Sequence, residues 1–263
     1  MKAPSLIMAA ILAVGLPFAP DAQAGRSCEH RKLTARTLEA SLGLAGKTLS
    51  ALDASGAQVV VLARAGQDLR KHGLRYSHLG FAYRTDAGEW RVVHKLNQCG
   101  TAQASLYRQG LGEFSLDDLW RLEAAWAVPA PEVQARLAPL LKDDRRVATL
   151  HHRRYSIVSY AWGQTYQQSN QWAIETLALA MEPAAATRTR AQAWLQFKGY
   201  QPTVLKLGPL TRMGGRLSAA NVAFDDHPDA KRFTDRIETV TVDSVFQWLQ
   251  RSGLAGAPVT LQP

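Results

Sequence analysis

His78-Leu-Gly-Phe-Ala-Tyr-Arg84 and Trp90-Arg-Val-Val-His-Lys-Leu96 decide how this chain is read. Both are of strand length, together they are rich in aromatic and β-branched residues, and Thr85-Asp-Ala-Gly88 between them carries the Asp and Gly that suit a hairpin loop. Far downstream, Gln168-Ser-Asn-Gln-Trp172 opens a segment through Met181 that is apolar on most sides, so it reads as a helix buried in the centre of the fold. A strand histidine facing a nucleophile at a helix start is a hydrolase arrangement. At the position where a thiol would be expected, the chain carries Ser169.

Outward from these segments the chain reads as mixed α and β. Leu38, Leu42, Ala45, Leu49 and Leu52 recur at helical spacing and predict a helix from about 33 to 52, ended by Gly56. Ala57-Gln-Val-Val-Val-Leu-Ala63 reads as a strand, Gln67 to His72 as a short helical turn, and Glu123–Val128 as a further strand leading to a helix from Glu132 to Leu141. Tyr155-Ser-Ile-Val-Ser-Tyr160, Ala219–Phe224 and Arg236-Ile-Glu-Thr-Val-Thr-Val242 are read as extended segments, and Arg190 to Phe197 as a short helix ending at Gly199. Asp243 or Ser244 is the expected cap of a closing helix through Gln250.

The first 24 residues read as an address. Lys2 precedes an apolar run from Leu6 to Leu16, and Ala22-Gln-Ala24 offers small residues for cleavage near Ala24/Gly25. The run is short and is followed by Pro17, so stable membrane insertion is not expected, and a periplasmic or secreted protein is. Residues 25–263 are expected to form a single domain, because no linker, repeat or low-complexity block divides them. Removing one Lys and one Asp with the leader keeps the net charge at +9. The basic clusters are mixed with acids and form no aromatic-interleaved stripe, which argues against nucleic acid. They favour attraction to anionic envelope polymers.

The two cysteines, Cys28 and Cys99, in a chain bound for an oxidising compartment are read as a disulfide closing a long loop, a constraint worth about 2–4 kcal/mol. Asp225-Asp-His-Pro228 is read as a turn whose carboxylates bond backbone N–H groups, and His151-His152 as part of a basic, exposed stretch. Neither has the spaced pattern of a metal site, so no metal and no cofactor is expected.

The order of a His-x-Gly strand, a second strand ending Val-Val-His and a polar tripeptide opening an apolar helix resembles circularly permuted papain-like proteins, the NlpC-type amidases and the lecithin:retinol acyltransferase-like group. The resemblance implies a helix-start cysteine as nucleophile, one strand histidine as base and a second as its orienting group. Carried over, His78 takes the base position, His94 the orienter, and Ser169 the place of the thiol. The implied fold is α+β, a papain-like (permuted NlpC-type) antiparallel sheet packed against a central helix, with extra helices. Tyr76-Ser-His-Leu-Gly80, Ser169-Asn-Gln-Trp172, Phe224-Asp-Asp-His-Pro228 and Val240 to Leu249 also resemble an exported bacterial family catalogued as domain of unknown function 2145. That resemblance spans most of the mature chain and implies an envelope setting without an activity.

Two functions remain open on these residues. One is a papain-like module lacking the usual cysteine that binds a peptidoglycan-derived peptide or an acyl-bearing envelope ligand. The other is a serine-variant amidase or acyl hydrolase, with Ser169 attacking a carbonyl, His78 as base, and His94, Asn97 or Gln164 holding the imidazole tautomer. A serine hydroxyl is far less acidic than a thiol, so it depends wholly on a well-placed base. Asn170 and Gln171 are candidate ligand contacts, and Trp162 and Trp172 a candidate apolar wall. Ser169 is otherwise an ordinary helix cap.

Overall fold

The computed structural model describes residues 34–117 and 119–263. The expected leader, its cleavage point and Cys28 lie outside the described residues. In chain order α1 (Ala35–Ala54) leads into β1 (Val59–Ala65), a 3-10 turn at Arg70–His72, β2 (His78–Arg84), β3 (Trp90–Asn97), β4 (Ala104–Gly110), α2 (Leu111–Leu116) and β5 (Arg121–Ala127). Then come α3 (Pro131–Lys142), α4 (Asp144–Ala148), α5 (Ser169–Met181), α6 (Arg188–Phe197), β6 (Thr203–Lys206), α7 (Pro209–Ser218), α8 (Asp229–Arg232), β7 (Arg236–Thr239), α9 (Val242–Arg251) and β8 (Val259–Leu261).

The architecture is α+β, with one sheet in the order β4-β3-β2-β1-β5-β8 and every neighbouring pair antiparallel. Because successive side chains leave a strand on opposite faces, each strand feeds two cores. On one face Leu79, Phe81, Tyr83 and Val93 pack with Trp172, Ala173, Ile174 and Leu177 of α5. On the other, Ala82, Trp90 and Val92 pack with Leu52 of α1 and Leu111 and Phe114 of α2. A separate β6–β7 ribbon covers a smaller core of Leu205, Leu207, Val222, Phe224 and Ile237. Among the described residues no helix is long and apolar enough to cross a membrane.

The hairpin closes as its residues suggest: Thr85 N–H donates to the Glu89 carbonyl, and Gly88 takes φ +84°, which only glycine adopts without strain. α1 turns a different face inward from the one expected. Ser41, Leu44, Ala45, Thr48 and Leu52 are buried, while Leu38, Leu42 and Leu49 are exposed. Small side chains let the helix sit close, and the buried Thr48 hydroxyl donates to the Leu44 carbonyl 2.8 Å away.

Residues 155–160 and 219–224 are loops rather than strands. Their backbone bonds are single and scattered rather than a ladder: Tyr155 N–H donates to Ala102, Ile157 N–H to Asn221 and, just beyond, Ala161 N–H to Glu238. The strand expected from Arg236 stops at Thr239, because Thr241 caps α9 with its hydroxyl on the Ser244 N–H while Ser244 reciprocates. Neither Asp243 nor Ser244 is the cap.

Candidate functional site

His78 opens β2 and His94 lies near the end of β3. Both point to the face covered by α2, with ring centroids 6.1 and 5.3 Å from that of Phe114. His78 Nε2 stands 2.8 Å from His94 Nδ1, and His94 Nε2 stands 2.8 Å from Oε1 of Gln109 on β4. A carbonyl oxygen only accepts, so His94 carries its proton on Nε2, its Nδ1 accepts, and His78 Nε2 donates. The relay is directional. The tautomer is thus set by Gln109, whereas Asn97 donates to the Gln98 and Thr101 carbonyls and Gln164 donates to Gln192.

Gly80 explains the His-x-Gly pattern. A β-carbon there would stand 2.7 Å from His94 Cβ and 2.9 Å from the Val93 carbonyl oxygen, so the relay needs glycine for space. Arg64, next to His78 across the β1–β2 ladder, is buried on the same face. Its Nη1 donates to the Phe114 carbonyl, Nη2 pairs with Asp117, and the guanidinium lies 4.7 Å over the Phe114 ring.

Ser169 stands on the opposite side of the sheet, in the first turn of α5. Gln168 is the cap, its side chain accepting from Asn170 N–H, so Ser169 does not cap the helix. Burial pushes the Tyr155 phenol up, and the neighbouring Ser169 hydroxyl offsets part of the rise. Asn170 clips the helix to its surroundings: Oδ1 accepts from Leu79 N–H at 3.1 Å and Nδ2 donates to the Val240 carbonyl. Gln171 accepts from Ser159 and donates to the Tyr160 and Ala161 carbonyls, so its hydrogen-bonding groups hold the 159–161 loop.

The two halves meet at one cleft of about 510 Å³ at the strand ends, which both His78 and Ser169 line. Ile157, Val158, Leu205, Leu207, Val222 and Phe224 make an apolar wall, and Arg64, Lys71, His72 and Asp117 make a polar one. Trp162 and Trp172 are not among its lining residues. Trp172 is fully buried edge-on to Phe81, and Trp162 stacks edge-on to Tyr200. Trp120 lines the cleft instead.

Beneath α5 lies a buried polar network that no spacing in the chain announced. Lys95 Nζ donates to the His152 carbonyl and to both oxygens of Gln167, within 2.6–2.7 Å. Burial, then the Arg188 charge, pushes Lys95 down to about 6. Glu175, fully buried, accepts from Gln167, Arg188 and Gln192. The signal for this network was present but weak: Lys95 and Glu175 are charged residues inside apolar runs, where burial demands partners. Gln109 was hidden because Ala104–Gly110 lacks a clean alternation. His151, half-buried, is pushed down to about 4 by burial and then by the Lys95 charge, and His152 Nε2 meets the Thr165 carbonyl, so this pair is not an exposed stretch. The Asp225–Pro228 segment is a turn as expected, with Asp226 accepting from Tyr160 N–H and from the His227 ring. Cys28, the expected partner of Cys99, lies outside the described residues.

A family model described as an uncharacterized protein conserved in bacteria (DUF2145) matches residues 51–249. No curated protein and no solved structure matches the chain.

Proposed function

The chain belongs to the DUF2145 family of bacterial proteins, and we propose that it is an exported envelope module that binds a peptide or acyl ligand in the strand-end cleft without turning it over. The fold in this reading is papain-like of the permuted NlpC type, with serine where the nucleophilic cysteine would stand. The observation that carries it is the arrangement of Ser169 and His78. They share a cleft, yet His78 emerges on the sheet face covered by α2, whereas Ser169 belongs to α5, which packs on the other face. A nucleophile and its base need to come within about 3 Å of each other, whereas a binding module needs only the pocket. The apolar wall suits an acyl chain or apolar peptide side chain, and Lys71 at the rim suits a carboxylate, as in a peptidoglycan-derived peptide.

Trp120 supplies the readout. Titrating the protein with N-acylated peptides should perturb its fluorescence saturably, and Val158→Trp, which fills the apolar wall, should weaken that binding at least about tenfold, or ~1.4 kcal/mol. Unchanged affinity in Val158→Trp would place the ligand elsewhere and sink the proposal.

The serine-variant amidase or acyl hydrolase is kept as a second reading for one reason. The His78–His94–Gln109 relay is complete, and it orients His78 as a hydrolase base would be oriented. That reading requires the Ser169 hydroxyl to meet His78 across the cleft mouth.

A further inference from the structure

α7 is built inside out. Its inward side is small or polar: Gly215 packs against Val222, where a β-carbon would come within 3.2 Å, and buried Arg212 donates to the Leu207 carbonyl 2.9 Å away. Leu210, Met213 and Leu217, spaced i, i+3 and i+7, fall together on the side turned to solvent and are 79, 55 and 82% exposed. α8 is tied to α7 by Arg212 Nη1 donating to the Arg232 carbonyl, and it ends in Phe233, 78% exposed. Monomeric proteins rarely leave large apolar side chains grouped in this way unless something covers them.

We propose that this outer face of α7, with the end of α8, docks on an anionic lipid bilayer. Charge selects that occupant. Residues 201–224 contain exposed Lys206 and Arg216, with Arg212 buried beneath, and no acidic residue, and Arg216 flanks the stripe within the helix. Arg232 and Arg236 add cations on the neighbouring elements, against Asp229 and Asp235, while Lys231 is paired with Glu238, in a chain of net charge +9. An apolar stripe bordered by basic side chains matches an interface whose acyl region lies beneath anionic headgroups. A second copy of the same face would set like charges against each other. Thr211, Gly215 and Leu207 of the same region line the cleft, so docking would bring the cleft wall to the membrane surface. The proposal stands whether or not the cleft turns a ligand over.

The test is sedimentation of the purified full chain with vesicles of phosphatidylcholine alone or mixed with phosphatidylglycerol. Binding is expected to the mixed vesicles and to weaken as salt is raised. Leu210→Ser/Met213→Ser/Leu217→Ser should lose at least about tenfold in partitioning with an unchanged urea midpoint, since these side chains are exposed. Arg216→Gln should lose about fivefold. Equal binding by the triple variant and the parent, no preference for anionic vesicles, or a dimer in solution that the triple variant dissolves would each overturn the proposal.

Discussion

At the scale of single residues, the relay depends on what is missing at Gly80 as much as on the histidines. Its backbone is ordinary strand, so the constraint is steric: a methyl group there would collide with His94 Cβ. Gly80→Ala is expected to cost about 1–3 kcal/mol, the usual range for overpacking, measured as a lower urea midpoint. An unchanged midpoint would mean that β3 yields freely at this point. Gly80 and the two histidines were legible in the sequence because they recur at strand spacing. Gln109 was not, since nothing in Ala-Ser-Leu-Tyr-Arg-Gln-Gly distinguishes a residue that sets a tautomer from one that faces solvent. Nor does residue type show on which face of a sheet a side chain emerges. Ser169 and His78 could be picked out, but that His78 faces α2 while α5 packs on the other face could not.

At the scale of elements, β5 is fastened to the segment entering β2 and to the segment leaving β8 by one carboxylate. Glu123 is fully buried, accepts a two-pronged bond from Arg75 at 2.7 and 2.9 Å just ahead of β2, and accepts from Gln262 beyond β8. Burial alone would raise its pKa, but the Arg75, Gln262 and Tyr76 hydrogen bonds overcome this and pull it from 4.5 to about 2. A carboxylate depressed by folding contributes its stability above its unfolded pKa and loses it as pH falls through the folded one. Glu123→Gln should therefore cost about 1–3 kcal/mol at neutral pH. The gap should close as pH falls from 4.5 towards 2, followed by denaturant melts across that interval. A gap that persists at the acid end would show that shape rather than charge holds the fastening. The helices α1, α3, α5 and α6 were readable from apolar spacing, with α1 misjudged only in which leucines face inward. α7 was not, because Gly214 and Gly215 and an outward apolar face break every pattern that identifies a core helix.

On the scale of the whole molecule, a six-stranded antiparallel sheet separates two chemistries that meet at its end. The histidine relay and Arg64 lie under α2, Ser169 starts α5 on the other face with the Lys95–Glu175 network, and one cleft is lined by His78, Arg64 and Ser169. The α+β class followed from the alternation of strands and apolar helices. The loops at 155–160 and 219–224 did not, because β-branched residues there serve the cleft wall instead of a ladder. The claim that this cleft holds a ligand without attacking it is tested most directly at Ser169. The purified protein, Ser169→Ala and His78→Ala are treated with a broad serine-directed covalent probe, and the modified residue is mapped by mass. A binding module should leave Ser169 unlabelled. Labelling at Ser169 that disappears in both variants would contradict the account and make the protein a serine-variant hydrolase.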